Sequence, residues 1–213
     1  MKTSNKRETR YPSLIKGLVL LLCLLSSARS RCQGTIEAID TATIYTSLEA
    51  IASHPDHVYR LHLTRQKLTE FPAVILQCEN LKELVLDKNR IEHIPTEIAS
   101  LKNLRLFSAK QNKLEKFPQG ILSLTKLEFL DLGDNWIDSI PDEIAQLQQL
   151  QTLALWDNPV GYYPHELSNL PQLKVLDLLN NQMSKETQQR LKSELPKCKL
   201  IVSPPCSCMD GDQ

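Results

Sequence analysis

The amino-acid sequence predicts an α/β fold built as a right-handed solenoid. Short parallel strands are expected on its concave face, short helical or irregular segments on its convex face, and helical caps at its ends. Three observations predict this fold. Leucine-rich segments recur every 23 residues, a side-chain amide stands at the ninth position of six successive units, and a proline stands at the fifteenth position of five. The chain of 213 residues has room for one such domain.

The first 30 residues have the pattern of a signal peptide. Basic residues precede an apolar run from Gly17 to Leu25, and the small residues Ala28 and Ser30 follow it. The run is shorter than the ~20 residues that cross a bilayer. We expect residues 1–30 to be cleaved after Ser30 and the protein to be exported, as a secreted, periplasmic or cell-surface protein without a transmembrane helix. The alternatives are an uncleaved anchor, lipidation at Cys23 or Cys32, and a cytoplasmic protein with an intact leader.

The charge balance argues against nucleic acid as a partner. Residues 1–30 hold six basic residues and one acidic residue, so residues 31–213 keep 19 basic and 24 acidic ones. No basic run occurs after residue 31. Binding to phosphates requires clustered lysine and arginine, which this region lacks.

Residues 31–57 are expected to form an N-terminal extension and a capping helix. The segment Ser47–Ala52 predicts a short helix with Ser47 or Thr46 as its N-cap. The turn at Pro55-Asp56 then leads into the first repeat.

Residues 58–183 hold about six repeats, which begin at Val58, Leu81, Leu104, Leu127, Leu150 and Leu173. In each unit apolar and polar residues alternate, so one side of a short strand faces the core. The amide side chains carry both a donor and an acceptor, and they are expected to form a ladder along the turns. The ladder residues are Gln66, Asn89, Asn112, Asn135, Asn158 and Asn181. The prolines fix φ where the chain turns towards a helical segment on the convex face.

Residues 184–203 are expected to form the C-terminal cap. Ser184 suits the N-cap of a helix from Lys185 to about Leu195, and Pro196 ends it. Leu200–Val202 would add a final strand. Residues 204–213 are expected to be an irregular tail.

The repeat resembles the leucine-rich-repeat family of the 23-residue type, with the pattern L-x-x-L-x-L-x-x-N-x-L-x-x-L-P-x-x-I-x-x-L-x-x. The leucine-proline turn is similar to that of the bacterial and Ras-associated repeats. The resemblance covers residues 58–183. It implies a scaffold for protein interaction, with the binding surface on the concave face.

No catalytic constellation, cofactor motif or metal site is predicted. The five histidines are scattered, and Cys206 and Cys208 supply two ligands where zinc needs four. Either cysteine is a free tail thiol or a disulfide partner of Cys198. Cys78 occupies a leucine position and is expected to be buried. Neither the oligomeric state nor an enzymatic activity is indicated.

The solvent-facing strand positions predict the binding surface. Apolar residues occupy places where polar residues would suffice, and aspartates lie near them, an arrangement that favours a basic and apolar protein partner. The predicted partner-binding residues are Leu106, Phe129, Asp131, Asp134, Trp156, Asp157, Val175 and Leu179.

Three functions are compatible with these features. The preferred one is a non-catalytic scaffold that binds a protein partner through the concave face. The second is a structural or adhesive component of the cell envelope, tethered to the membrane through a terminal cysteine. The third is an intracellular signalling regulator, which requires an unprocessed leader.

Overall fold

The computed structural model describes residues 43–204, and these form a single open sheet with short helices along its other side. Its eight strands are all parallel and follow one another in chain order. They are β1 (Ile44–Tyr45), β2 (Arg60–His62), β3 (Glu83–Val85), β4 (Leu106–Ser108), β5 (Phe129–Asp131), β6 (Thr152–Ala154), β7 (Val175–Leu178) and β8 (Lys199–Val202). The predicted solenoid is therefore confirmed. The signal-peptide prediction, Cys32 and the tail cysteines lie outside the described residues.

The register of the sheet follows the sequence repeat. Arg60 pairs with Glu83, and Leu106 pairs with Phe129, each 23 residues further along the chain. Stacking is required because a three-residue strand alone buries too little apolar surface to be stable. Each repeat therefore contributes one strand to a shared sheet.

The segments on the convex side are 3₁₀ turns rather than α-helical turns. Within the repeats each turn follows the repeat proline, which has an extended backbone, whereas the first turn contains Pro55 as its own first residue. Proline fixes φ and cannot donate a hydrogen bond, so it suits the residue before such a turn. The turns span Pro55–His57, Ala73–Gln77, Thr96–Ser100, Gln119–Ser123, Asp142–Gln146 and His165–Asn169.

The core lies between the sheet and these turns. Leucine and isoleucine from every repeat are fully buried there, as are Phe107 and Cys78. The prediction that Cys78 is an apolar core residue is confirmed. Its burial raises the pKa of the thiol, which keeps it protonated and unreactive.

Two α-helices flank the stack. Helix α1 (Leu48–Ala52) begins after Ser47, whose Oγ accepts a hydrogen bond from Ala50 N–H at 3.3 Å. Helix α2 (Lys185–Glu194) begins after Ser184, whose Oγ accepts from Thr187 N–H at 3.2 Å. Both serines thus act as the N-caps that the sequence predicted. Neither helix is long and apolar enough to cross a membrane, which holds for every helix within residues 43–204.

Strand β1 was not predicted from the sequence, and the last strand is one residue longer than predicted. Ile44–Tyr45 extends the sheet by pairing with Arg60 and Leu61 ahead of the first repeat. At the other end the final strand starts at Lys199, one residue before the predicted position. Both lie outside the 23-residue pattern, so periodicity carried no information about them.

The asparagine side chains connect each repeat to the previous one. Asn135 Nδ2 donates to Ala109 O of the preceding repeat at 3.1 Å and to Leu132 O of its own at 2.9 Å. Its Oδ1 accepts from Leu114 N–H of the preceding repeat at 3.0 Å. Gln66 departs from this pattern, since its longer side chain donates to Thr46 O at 3.4 Å instead.

A left-handed residue precedes each ladder amide. The eighth residue of every repeat has φ between 53° and 61°, although none is glycine; the residues are Arg65, Lys88, Gln111, Asp134, Asp157 and Asn180. This conformation costs about 1–2 kcal/mol for a residue with a Cβ atom. The ladder amide offsets it by bonding the carbonyl just before that residue, as Asn135 does with Gly133 O.

Candidate partner-binding face

The predicted binding residues lie on the solvent side of β4 to β7 and in the turns that follow. The third position of the repeat places Leu106, Phe129 and Val175 at strand starts, with Thr152 between the last two. The seventh position holds Trp156 and Leu179, and the eighth holds Asp134 and Asp157. The repeat therefore gathers these residues onto neighbouring strands of one surface.

The expected exposure of this surface is partly wrong. Phe129 keeps 9% of its accessible surface and Asp131 keeps none, so neither presents much area to a partner. Both belong to β5, which lies between β4 and β6 in the sheet. Leu106, Trp156, Val175 and Leu179 are half-buried and supply the accessible apolar area.

Trp156 lies directly against Gly133, its counterpart in the preceding repeat. A Cβ atom added to Gly133 would stand 2.2 Å from both Cε2 and Nε1 of the indole. No side chain larger than hydrogen fits there while the indole keeps its place. The sequence contained this signal, because glycine and tryptophan occupy the same position of successive repeats, but periodicity alone did not reveal the contact.

Asp131 is the centre of a buried polar cluster that also contains Asp87, Ser108 and Lys110. Asp131 Oδ1 accepts a hydrogen bond from Gly133 N–H at 3.0 Å. Ser108 Oγ donates to Asp87 Oδ1 at 2.5 Å. Lys110 Nζ lies 3.6 Å from Asp87 Oδ2 and 3.5 Å from Asp131 Oδ2. One ammonium thus serves two carboxylates.

Burial perturbs both acids of this cluster. Removal from water raises the pKa of Asp131 to about 6, although the nearby Lys110 charge opposes that rise. The pKa of Asp87 is also raised by burial, against the same lysine. The cluster therefore carries a net negative charge that its single lysine does not fully stabilise.

Two polar atoms in this region are buried without a hydrogen bond to any residue among 43–204. They are Asp131 Oδ2 and Trp156 Nε1. Buried polar groups are almost always hydrogen-bonded, so two such atoms beside the same glycine mark an unusual place in the surface. Asp131 is bonded to Gly133 N–H through its other carboxylate oxygen, Oδ1, and the Trp156 indole packs against the same glycine.

The charges at the two ends of the face are balanced differently. At the N-terminal end Glu83 accepts from Arg60 Nε at 2.8 Å and contacts His62 Nε2 at 2.6 Å. Burial acts to raise the pKa of Glu83, but the bonds and charges of His62 and Arg60 outweigh it and lower the pKa. At this end the charge of Arg60 is therefore neutralised by Glu83.

Towards the C-terminal end the acidic side chains bond neutral partners. Asp134 accepts from Gln111 Nε2 at 3.1 Å, and Asp157 accepts from Asn180 Nδ2 at 2.6 Å. No lysine or arginine occupies the third, fifth, seventh or eighth position of the repeats that begin at Leu127, Leu150 and Leu173. This half of the face is therefore acidic and partly apolar.

The remaining titratable groups suggest structural roles. His165 Nδ1 lies 2.6 Å from Glu194 Oε1, and Arg190 bonds both Glu194 and Tyr163 O, which fastens α2 to the repeat that begins at Leu150. Within residues 43–204 no three His, Cys, Asp or Glu side chains converge as metal ligands. Cys198 is half-buried and forms no disulfide with another cysteine of residues 43–204, and burial raises the pKa of its thiol to about 11.

Comparison with known proteins identifies the repeat. A family profile for leucine-rich repeat regions matches residues 74–204, more than half of the chain. A leucine-rich-repeat protein of Leptospira interrogans is 32% identical, with a TM-score of 0.54, and the match covers 63% of this chain and 40% of that one. No curated protein sequence matches the chain.

Two further solved structures have the same architecture. Internalin C2 of Listeria monocytogenes is 25% identical over 74% of this chain and 66% of its own, with a TM-score of 0.57. The Arabidopsis receptor kinase HAESA, solved with the peptide hormone IDA and the co-receptor SERK1, is 28% identical with a TM-score of 0.53. That match covers 66% of this chain and 28% of the kinase.

Proposed function

Because the chain belongs to the leucine-rich-repeat family, we propose that it is an exported scaffold that binds a protein partner through its concave face. The family and fold are typically non-enzymatic interaction modules. One observation carries the proposal: the solvent side of β4 to β7 combines half-buried apolar side chains with Asp134 and Asp157, whose carboxylates accept hydrogen bonds from neutral amide side chains. HAESA was solved with a peptide and a co-receptor, which supports a protein ligand for this fold.

The accessible part of the proposed surface differs from the one expected from sequence. We define the binding face as Leu106, Trp156, Val175 and Leu179, with Asp134 and Asp157 at its edge. Phe129 and Asp131 lie beneath it and would act by shaping and charging the surface. An aromatic residue with apolar neighbours and a polar rim is the composition of many interaction hot spots.

The partner that suits this face is a protein segment with basic and apolar side chains. The acidic half attracts positive charge, and complementary charges accelerate association and select against the wrong partners. The apolar side chains supply the area that a partner's own apolar residues would cover. A nucleic acid would be repelled by the same aspartates.

The two tryptophans provide a matched test. Trp136 is 54% exposed and lies at a different repeat position from Trp156, away from the strand face. Cross-linking capture with residues 31–213 as bait would compare the wild type with Trp156→Ala and Trp136→Ala. We expect Trp156→Ala to lower the amount of captured partner by about tenfold or more, the usual size of an aromatic hot spot. Equal capture by both variants would remove this face from consideration.

Export is a separate part of the proposal and has its own test. Mass spectrometry of the native protein should find Arg31 as the first residue if the leader is cleaved after Ser30. A lipid-modified cysteine would instead favour the tethered envelope component. An intact N-terminus would favour the intracellular regulator.

A further inference from the structure

On the premise that the concave face binds a protein, we propose that Asp131 and Trp156 form a subsite for an arginine side chain of the partner. The guanidinium would pair with Asp131 Oδ2 and stack against the Trp156 indole. This assigns a specific ligand group to one place on the proposed binding face. It rests on the buried polar cluster around Gly133.

The buried cluster contains one ammonium group and two carboxylates. Lys110 Nζ lies 3.6 Å from Asp87 and 3.5 Å from Asp131, so it divides one positive charge between two carboxylates. Both distances exceed the 2.7–3.2 Å that is typical of an N–H···O hydrogen bond. A second cation would allow Lys110 to move onto Asp87 and would pair with Asp131.

One oxygen of the Asp131 carboxylate has no hydrogen-bond partner among residues 43–204. Asp131 is fully buried, and its Oδ2 makes no hydrogen bond with any other residue that the structure describes. Oδ1, in contrast, is held by Gly133 N–H at 3.0 Å. The carboxylate is therefore oriented by one oxygen while the other remains able to accept a donor. A buried charge without such a donor is costly, and a bound guanidinium would relieve that cost.

The indole of Trp156 packs against Gly133, the residue that bonds the Asp131 carboxylate. Trp156 is half-buried against Gly133, so part of its ring system stays accessible. A guanidinium is planar, stacks on aromatic rings, and is more weakly hydrated than an ammonium group. Arginine therefore satisfies both the aromatic surface and the carboxylate, whereas lysine offers only a point charge.

Access to Oδ2 requires a small rearrangement. The Lys110 side chain is 25% exposed, and its contacts with the two aspartates are long. Its displacement towards Asp87 would open the space beside Asp131 without moving the backbone of the sheet. Asp134 and Asp157 accept hydrogen bonds from neutral amide side chains and would guide the cation towards this place.

The test uses the two indole N–H signals in ¹H–¹⁵N spectra of the full chain, which has two tryptophans. Trp136→Phe and Trp156→Phe assign the signals. The probe is Nα-acetyl-arginine amide, and Nα-acetyl-citrulline amide is its neutral isostere. We expect arginine to shift the Trp156 signal in a saturable manner, the Trp136 signal to stay in place, and citrulline to act at least fivefold more weakly.

A matched pair of variants separates the subsite from general acidity. Asp131→Asn keeps the acceptor for Gly133 N–H but removes the charge, so it should weaken the arginine response at least fivefold. Asp138→Asn removes an exposed carboxylate that is paired with Lys116 at 2.7 Å, and it should leave the response unchanged.

Three outcomes would overturn the subsite. If citrulline shifts the Trp156 signal as much as arginine does, the site binds neutral donors and acceptors. If Asp131→Asn and the wild type respond equally, the carboxylate takes no part. If arginine does not shift the Trp156 signal, the site does not exist. The proposed function can fail independently. If arginine has no effect while Trp156→Ala still lowers partner capture, the binding face stands and the arginine subsite falls.

Discussion

At the scale of single residues, Asp131 is the side chain whose environment conflicts most with its chemistry. It is an acid with no accessible surface, it shares the Lys110 ammonium with Asp87, and burial raises its pKa to about 6. Charged groups of this kind reduce stability unless a partner compensates them. A residue that weakens the fold while charging its surface is consistent with a role in binding.

Asp131→Asn should therefore stabilise the protein at neutral pH. The folded state binds the proton more tightly than the unfolded state, whose pKa is near 3.8, so the wild type should gain stability as pH falls from about 7 to about 4. Each pKa unit corresponds to about 1.4 kcal/mol, and we expect the variant to gain about 1–3 kcal/mol at pH 7. Its pH dependence should be flatter. Urea denaturation at several pH values measures both effects.

Asp138→Asn is the control for this prediction. Hydrogen bonds from Lys116 and Ser139 lower the pKa of Asp138, so its charged form is favoured in the folded state. The side chain is largely exposed, and we expect only a small loss of stability at pH 7, of opposite sign. If the wild type and Asp131→Asn lose the same amount of stability between pH 7 and pH 5, the role assigned to Asp131 is wrong.

At the scale of the repeat element, the asparagine ladder bonds backbone groups that strands of three residues leave unpaired. Each asparagine bonds carbonyls in two repeats and accepts from a third segment of backbone, as Asn135 does. These backbone groups belong to a turn that has no strand partner. Buried backbone groups must be satisfied, so the ladder holds the turn and the stack together.

Asn135→Ala should therefore strongly reduce the stability of the fold. It removes the acceptor of the buried Leu114 N–H, whereas Ala109 O and Leu132 O keep their bonds from Asn112 and Asn158, and we expect a cost of about 1–3 kcal/mol. Gln66→Ala tests the same position in the first repeat, where the side chain makes one exposed bond of 3.4 Å to Thr46 O. That change should alter stability by less than about 0.5 kcal/mol. Comparable losses from the two changes in chemical denaturation would refute the distinction.

At this scale the repeat period determines some features of the structure and leaves others undetermined. Strand register and core positions follow from a strict period, because every repeat must stack on an equivalent one. The burial of Phe129 and the contact between Trp156 and Gly133 depend on the side chains of adjacent repeats, which vary. The position of β1 also depends on residues before the first repeat. Periodicity therefore predicted the scaffold but not the detailed shape of the candidate site.

At the scale of the whole stack, each repeat contacts mainly its sequence neighbours. Strands pair only with the preceding and following strand, and the convex turns follow the same order. The stability of such a chain is close to a sum of repeat terms and nearest-neighbour interfaces. The ends are stabilised on one side only, so α2 and β8 supply the missing contacts at the C-terminal end.

This one-dimensional order predicts that the position of a defect determines how far its effect spreads. Leu191 in α2 and Leu130 in β5 are both fully buried, and loss of either side chain should cost about 2–5 kcal/mol. Leu191→Ala should lower hydrogen-exchange protection in the last repeat while the repeats beginning at Leu81 and Leu104 keep theirs. Leu130→Ala should lower protection on both sides of β5, because it weakens two interfaces. Uniform loss of protection in both variants would instead show that residues 43–204 unfold as one cooperative unit, and the nearest-neighbour description would fail.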